Sequence, residues 1–356
     1  MKELFKDLKI IELAGVLAGP SAGLFFSELG AKVIKIENSQ TNGDVTRSWK
    51  SKTEDPKNAY SAYYWSINAG KESKLLDLTK EKELKILYDL IKDADILITN
   101  YKKGDDVKLK VDYERITKIK QDIIYASING FGSDSNRTAY DLILQAESGF
   151  MFMNGEPNSK PTKMPVALID LMAGHQLKEA ILIALLKKYK TKQGSKITVS
   201  LFDSAVASLA NQATNWLIAN QLPKATGSLH PNIAPYGELF ETKDGQLITF
   251  AIGSNKEFTK LCEIINYSGL AKEKQFSNNQ NRITNRQALY SILYNYIKPF
   301  LFKDLYRLCI ENSVPIGKVR NLKEVFELEE ANRLLTKTLI NGQNITSVKS
   351  AIFEID

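Results

Sequence analysis

The N-terminal half of the chain alternates short apolar runs with amphipathic stretches, and that rhythm limits it to few architectures. Lys9-Ile10-Ile11-Glu12-Leu13-Ala14 reads as a buried strand. Gly19-Pro20 opens a helix that runs through Leu29, and Gly30 closes it. Proline in the first turn and glycine after the last are the expected punctuation. Ala31 to Glu37 is a second strand. Glu81 to Lys92 is helical, with Leu84, Leu87, Leu90 and Ile91 on one face. Ala94 to Thr99 and Ile123 to Ile128 are two more strands. Strands and helices alternating at this spacing imply βαβ units and a mostly parallel sheet, hence an α/β fold. Asn38 to Ala69, with Tyr60, Tyr63, Tyr64 and Trp65, breaks the rhythm and reads as a functional excursion from the sheet.

Leu168 to Tyr189 is a strongly apolar helix, followed by a basic turn from Lys187 to Lys196, a strand from Lys196 to Ser200 and a helix from Asp203 to Asn220. Gln221 to Tyr236 carries Pro223, Pro231 and Pro235 and reads as a linker. Glu238 to Thr242 and Gln246 to Ile252 flank Asp244-Gly245, a strong hairpin signal. The remainder is expected to be mainly helical to about Leu339. The part after Asn220 reads as a second, smaller α+β domain.

A length of 356 residues suits two domains. Its 43% apolar and 25% charged residues exclude a disordered chain, a collagen-like chain and a membrane bundle. The net charge of +7 is spread evenly, which suits a polyanionic small ligand as well as RNA and decides nothing alone. Cys262 and Cys309 form no CxxC or Cys/His cluster, so neither a zinc site nor a disulfide framework is expected, and a reducing cytoplasm is the default. Lys2, Lys6 and Lys9 precede the apolar stretch Ile10 to Phe26, which superficially resembles a signal peptide. Glu12 sits inside it and Gly15, Gly19 and Pro20 break it, so strand and helix are the better reading. No apolar window is long enough to predict a membrane span.

Several residues carry candidate chemistry. Ala14 to Pro20 is a turn of small residues at a helix N-terminus, where a ligand can approach the backbone and an anion is favoured. Glu37 ends the second strand where a ribose-binding acid would sit, but the G-x-G-x-x-G spacing is absent, so a nicotinamide enzyme is not favoured. Asp170 arrives at the end of the apolar run Pro165 to Ile169. A carboxylate there is either a partly desolvated nucleophile or base, or a helix cap. His175 reads as a packed or hydrogen-bonded residue and His230 as a loop residue. Asp141 and Asp203 are read as helix starts. There is no G-x-S-x-G, and the two histidines fit no triad.

Taken in order, the motifs resemble those of the family III CoA-transferases and the related α-methylacyl-CoA racemases, from about Leu8 to about Val325. They are Lys9 to Pro20 (KIIELAGVLAGP), Glu28 to Glu37 (ELGAKVIKIE), Gly43-Asp44 with Thr46-Arg47, Asn68 to Leu78 (NAGKESKLLDL), Ala94 to Gly104 (ADILITNYKKG), Asn129 to Gly132 (NGFG), Ala139 to Gln145 (AYDLILQ) and Ile169 to Gly174 (IDLMAG). His230 to Gly237 (HPNIAPYG), Asp244-Gly245 and Val314-Pro315 before Val319 follow in the second half.

The resemblance implies that Asp170 is a catalytic nucleophile that becomes acylated by an acyl-CoA, exchanges to an aspartyl-CoA thioester and passes CoA to a carboxylic acid. It implies CoA contacts at Leu17 and Ala18 in the first turn and at Leu76, Asp77, Leu78 and Thr79. Asn100, Tyr101 and Lys102 match the family's N-F-R, with lysine in place of the forked arginine. Asn38 stands where a basic residue is frequent, Lys108 takes another basic position, and Arg137, Thr138, Ala139 and Tyr140 form the loop to the catalytic face. Tyr140 replaces the histidine of the racemases, and a phenol with a pKa of about 10 is a poor base at neutral pH, so transfer is favoured over racemisation. A catalytically silent acyl-CoA-binding homologue is the alternative from another class. With only Gly227-Ser228-Leu229 where formyl-CoA transferases carry a glycine-rich lid, formate chemistry is not expected. The family's usual closing motif is not visible after Leu339.

The implied architecture is a large Rossmann-like, CoA-binding domain of residues 1–220 completed by about 325–356, with 221–324 as linker and small α+β domain. The implied assembly is an interlocked homodimer. Coenzyme A and acyl-CoA are expected as substrates rather than as a resident cofactor, with a carboxylic acid as the second substrate. No nucleic acid, membrane or metal partner is expected.

Overall fold

A computed structural model of the chain describes residues 4–340 and 343–355; Lys2 of the basic N-terminus lies outside them. The chain divides into two compact units, one of Met1–Met151, Lys163–Leu222 and Asn332–Asp356, the other of Phe152–Thr162 and Pro223–Ala331.

The first unit is built on a sheet of six parallel strands: β1 (Lys9–Glu12), β2 (Lys32–Asn38), β3 (Glu72–Leu76), β4 (Ile96–Thr99), β5 (Ile124–Asn129) and β6 (Ser195–Ser200). Their order is β3-β2-β1-β4-β5-β6, so the winding reverses between β1 and β4. The third strand was not anticipated, because Glu72, Ser73 and Lys74 are exposed and give no apolar run. Helices α1 (Ala18–Glu28), α2 (Ala62–Asn68), α3 (Glu81–Lys92), α4 (Asp105–Lys108), α5 (Tyr113–Ile119), α6 (Asp141–Glu147), α7 (Phe150–Met153) and α8 (Leu168–Thr191) punctuate the strands. The expected irregular excursion thus contains a short helix, α2, capped by Ser61.

Alternate residues of the strands feed two cores, as a sheet covered on both faces requires. Ile10, Ile96, Ile98, Ile124, Ala126 and Ile128 pack with Phe25 and Phe26 of α1 and Ile169, Ala173 and Leu177 of α8. Ile11, Ile34, Ile36, Leu97 and Tyr125 pack with Leu84, Leu87 and Ile91 of α3 and Ile116 of α5.

The single helix expected from Asp203 to Asn220 is two, α9 (Leu201–Ala207) and α10 (Ala210–Leu217), because the chain breaks at Ser208-Leu209 and Ala210 takes a left-handed φ of 48°. Ser200, rather than Asp203, caps α9.

In the second unit β7 (Tyr236–Glu241) and β8 (Leu247–Ala251) form the antiparallel hairpin expected around Asp244-Gly245. The third strand is β9 (Ile316–Lys318). Helices α11 (Asn255–Ile264), α12 (Asn279–Thr284), α13 (Arg286–Ile297) and α14 (Phe302–Glu311) enclose a core of Phe240, Phe250, Phe258, Leu261, Leu289 and Leu293. After α15 (Leu322–Phe326) and α16 (Glu329–Asn332) the chain returns to the first unit, in a hairpin of β10 (Leu335–Ile340) and β11 (Gln343–Val348). The expectation of helix to Leu339 fails at β9 and β10, where pairing with a neighbouring strand overrides weak local preference. Among the described residues no helix is long and apolar enough to cross a membrane, and no group of three or more His, Cys, Asp or Glu is placed to hold a metal ion.

Candidate active site

The turn between β1 and α1 is held residue by residue. Lys35 Nζ donates to the Ala14 carbonyl at 2.6 Å. The Asn100 amide clamps Gly15, accepting from its N–H at 3.0 Å and donating to its carbonyl at 2.9 Å. The Asp44 carboxylate accepts from the Val16 N–H at 3.1 Å. Val16 has a φ of 69°, a left-handed conformation that costs a β-branched residue about 1–3 kcal/mol.

Beneath the turn lies a cluster of buried charges. Glu12, at the end of β1, and Lys35, in the middle of β2, are register partners and meet at 3.1 Å. Lys35 also reaches Asp44 at 3.1 Å, and Lys71 reaches Glu12 at 2.9 Å. Burial pushes Lys71 down to about 8, although Glu12 pulls the other way. A cluster of this kind persists because each charge has partners, since removing one leaves another buried and unpaired. Beside it Arg47 forks onto Glu37 at 2.7 and 2.6 Å. Burial would raise Glu37, but the bonds from Arg47, Ser73, the Asp44 N–H and Tyr64 outweigh it and hold the carboxyl at about 2. The carboxylate that mimicked a ribose ligand in the sequence is therefore occupied by the protein itself.

Asp170 lies in the first turn of α8. It does not cap that helix: the N-cap is Ala167, with no side-chain bond. The cap comes from α6 instead. Asp141 Oδ1 accepts from the Ile169 N–H at 2.8 Å and, more weakly, from the Asp170 N–H at 3.4 Å. Gln145 Nε2 donates to the other oxygen of Asp141, and Gln145 Oε1 accepts from the Met164 N–H at 2.8 Å. Asp170 is 7% exposed. Burial first, then the neighbouring charge of Asp141, raises its carboxyl to about 7. Burial first, then the charges of Asp170, Asp141 and Asp44, raises the Tyr63 phenol to about 12.

Asp170 lines a cleft of about 360 Å³ together with Gly15, Val16, Leu17 and Ala18. The cleft opens over the C-terminal ends of β1 and β4, on either side of the winding reversal, where open α/β sheets bind ligands. It continues along Ser127 and Asn129 of β5 and Lys196 and Thr198 of β6.

The profile of CoA-transferase family III matches residues 5–348. The chain belongs to CoA-transferase family III. A succinate–glutarate CoA-transferase of Agrobacterium fabrum is 36% identical, over 91% of this chain and 82% of its own length. The human succinyl-CoA:glutarate CoA-transferase is 36% identical, over 90% and 73%. A CaiB/BaiF family protein from Brucella suis superposes with a TM-score of 0.83 at 34% identity, over 98% of this chain and 92% of that one. The motif order read from the sequence thus identified the family, and the chain is an enzyme of it.

The CoA-binding positions implied by family III distribute over two cavities. Leu17, Ala18, Asn100, Tyr101, Lys102, Arg137, Ala139 and Tyr140 share the large cleft with Asp170. Thr138 is tied to it through Lys102, whose Nζ donates to the threonine hydroxyl at 2.7 Å. Arg137 pairs with Glu147 and stands 3.8 Å over the Phe131 ring. Tyr140, the N-cap of α6, is 54% exposed at the cleft. Asn38, Leu76, Asp77, Leu78 and Thr79 line a smaller cavity of about 110 Å³, which shares Tyr101 with the large one. Asp77 accepts from the Thr79 hydroxyl and N–H and from Gln40, and the hydroxyl bond foremost holds it down to about 2. Lys108 is exposed on α4 and lines neither cavity. His175, expected to be packed or hydrogen-bonded, is exposed on α8 and absent from the cleft wall. His230 lies in a loop against Tyr236, as expected.

Reading the sequence for function missed three contributors: Val16, Asp44 and the capping role of Asp141. Asp44 and Asp141 lay inside recognised motifs, but the backbone N–H groups that define these roles, at Val16 and Ile169, are each 28 residues away. Tyr125, Ser127 and Asn129 of β5 share one face of the sheet with Lys196 and Thr198 of β6, and that period of two was a legible signal for the extended wall.

Proposed function

We propose that this family III enzyme moves CoA from an acyl-CoA donor to a carboxylic acid acceptor, with Asp170 as the covalent nucleophile. The observation that carries this is the Asp170 carboxyl, 7% exposed on the wall of the cleft formed by Gly15 to Ala18. A carboxylate is a weak nucleophile in water, and a desolvated one at a helix start is stronger once ionised.

Asp170 attacks the donor thioester carbonyl. The C–S bond breaks and leaves a mixed anhydride and CoA thiolate. The thiolate attacks the aspartyl carbonyl, expels the donor carboxylate and forms an aspartyl-CoA thioester. The acceptor carboxylate attacks that carbonyl, releasing thiolate and a second anhydride. The thiolate takes the acceptor acyl group and returns Asp170 as a carboxylate. Charge is conserved throughout, and no proton needs to be supplied. Both anhydrides are hydrolysable, which is why the nucleophile must be sheltered.

The large cleft would take the thioester end, and the smaller cavity at Asn38 and Leu76–Thr79 another part of CoA. The relatives' names supply succinate, glutarate, oxalate and mesaconate, all dicarboxylic acids, and we infer the same substrate class here. We read the large domain as Rossmann-like, which the strand order supports, over 1–220 completed by about 325–356, with the small α+β domain between. Exposed Ile183, Leu186 and Tyr189 on α8 and Trp216 and Leu217 on α10 support a homodimer, read from the family as interlocked. The free, buried Cys262 and Cys309 suit a cytoplasmic setting.

The test is a panel of dicarboxyl-CoA donors and free acids read by mass spectrometry, with hydroxylamine added. Exchange, and a hydroxamate on the peptide that holds Asp170, are expected. Asp170→Ala should abolish both while CoA binding stays within about threefold. Turnover retained in that variant would refute the assignment. Deuterium exchange at C2 of a branched acyl-CoA without CoA exchange would mark a racemase, and CoA binding with neither activity a silent homologue.

A further inference from the structure

The Ala14–Ala18 turn is held more tightly than a strand–helix connection needs. Glycine would take the left-handed conformation of position 16 freely; valine does not. The carboxylate that opposes this strain is itself fixed from several sides. The Asp44 side chain is 2% exposed, and its Oδ2 lies 3.1 Å from Lys35 Nζ as well as 3.1 Å from the Val16 N–H. Its Oδ1 accepts from the Thr46 N–H at 3.0 Å and the Thr46 hydroxyl at 2.8 Å. Its own N–H donates to Glu37 at 2.7 Å.

Leu17 and Ala18 follow directly. As N-cap and first residue of α1 they have N–H groups without an intrahelical acceptor, and both line the Asp170 cleft. Strain of this kind persists only where the surroundings over-determine it, and here a buried ionic group does so beside the reacting centre.

We propose that Asp44 is a positioning residue for the chemistry at Asp170: its carboxylate holds Val16 left-handed and thereby sets the direction of the Leu17–Ala18 wall of the nucleophile's cleft. This inference rests on the reading of Asp170 as the nucleophile.

The test is a cycle of Asp44→Ala, Val16→Gly and the double variant in the full chain, using the donor–acceptor pair that wild type turns over fastest. For each, kcat, KM for the donor and the thermal midpoint are measured. Asp44→Ala should lower kcat about tenfold or more, with a smaller change in KM. Glycine adopts the left-handed conformation without steric cost, so the double variant should regain at least about threefold in kcat over Asp44→Ala. Its thermal midpoint should not fall below that of Asp44→Ala, because relief of the strain at position 16 offsets the entropy that glycine adds to the unfolded chain. A loss concentrated in kcat rather than KM, and recovered by glycine at position 16, is what a merely structural role does not produce. Loss of both together, with no recovery of kcat in the double variant, overturns the proposal. Should Asp44→Ala not fold, Asp44→Asn keeps the volume and one acceptor. Adding Val16→Gly to it must again raise kcat, and an unchanged kcat overturns the proposal equally. Hydroxylamine trapping separates the two levels. No adduct at Asp170 in wild type refutes the nucleophile itself. An adduct in wild type, with kcat unchanged in Asp44→Ala, refutes the positioning role alone.

Discussion

Replacing Asp170 with asparagine should make the protein more stable as it inactivates it, and by an amount that depends on pH. An ordinary aspartic acid ionises near 3.8, whereas burial and the Asp141 charge move Asp170 to about 7. At about 1.4 kcal/mol per tenfold, the folded state disfavours the charged form by on the order of 4 kcal/mol. Below pH 3.8 the group is protonated whether the chain is folded or not, and the penalty is absent. It grows as pH rises, because the unfolded chain ionises first, and is complete above about pH 7. Asparagine has the shape of the protonated acid and carries no charge. Asp170→Asn is therefore expected to gain about 2 kcal/mol at pH 5 and about 4 kcal/mol at pH 8. Urea unfolding of wild type and variant across this range, at one protein concentration, measures the difference directly. A stability difference that is flat or shrinks between pH 5 and pH 8 would refute the claim that the native fold works against this charge. The same titration has a kinetic face, since only ionised Asp170 attacks: kcat should climb towards a plateau above about pH 7.

Asp141→Asn keeps an oxygen for the Ile169 N–H but removes the charge that helps to raise Asp170. The acidic limb of the kcat–pH profile should then move to lower pH, and a limb that stays put would show that burial alone sets it. At Gly174 an added Cβ would stand 2.1 Å from Ser21 Oγ and 3.0 Å from the Ala18 carbonyl. Gly174→Ala should therefore cost about 1–3 kcal/mol by forcing α1 from α8, read as a lower urea midpoint. An unchanged midpoint would mean that Ser21 turns aside freely.

The candidate site was legible in part because its pieces are local. Ala14 to Pro20 shows a small-residue turn, and Pro165 to Asp170 shows an acid ending an apolar run; both are visible in a few consecutive letters. Glu37 shows the limit. Its position suggested a ligand, yet Arg47, Ser73 and Tyr64 take its oxygens, and nothing in its own neighbourhood names the latter two. The strand β3 was missed because its exposed Glu72, Ser73 and Lys74 lack an apolar period, and its pairing with β2 makes the strand.

The order of motifs sufficed to identify the family, because each motif needs only residues near one another in the chain. The alternation of apolar runs sufficed for a parallel α/β sheet, because side-chain period follows from backbone geometry. Whether Asp170 caps its helix or faces a cleft was decided in three dimensions, where Asp141 from α6 takes over the cap and leaves the Asp170 side chain to the cavity. So was the raised carboxyl, since desolvation depends on everything packed around a group, and a sequence records only what stands beside it along the chain.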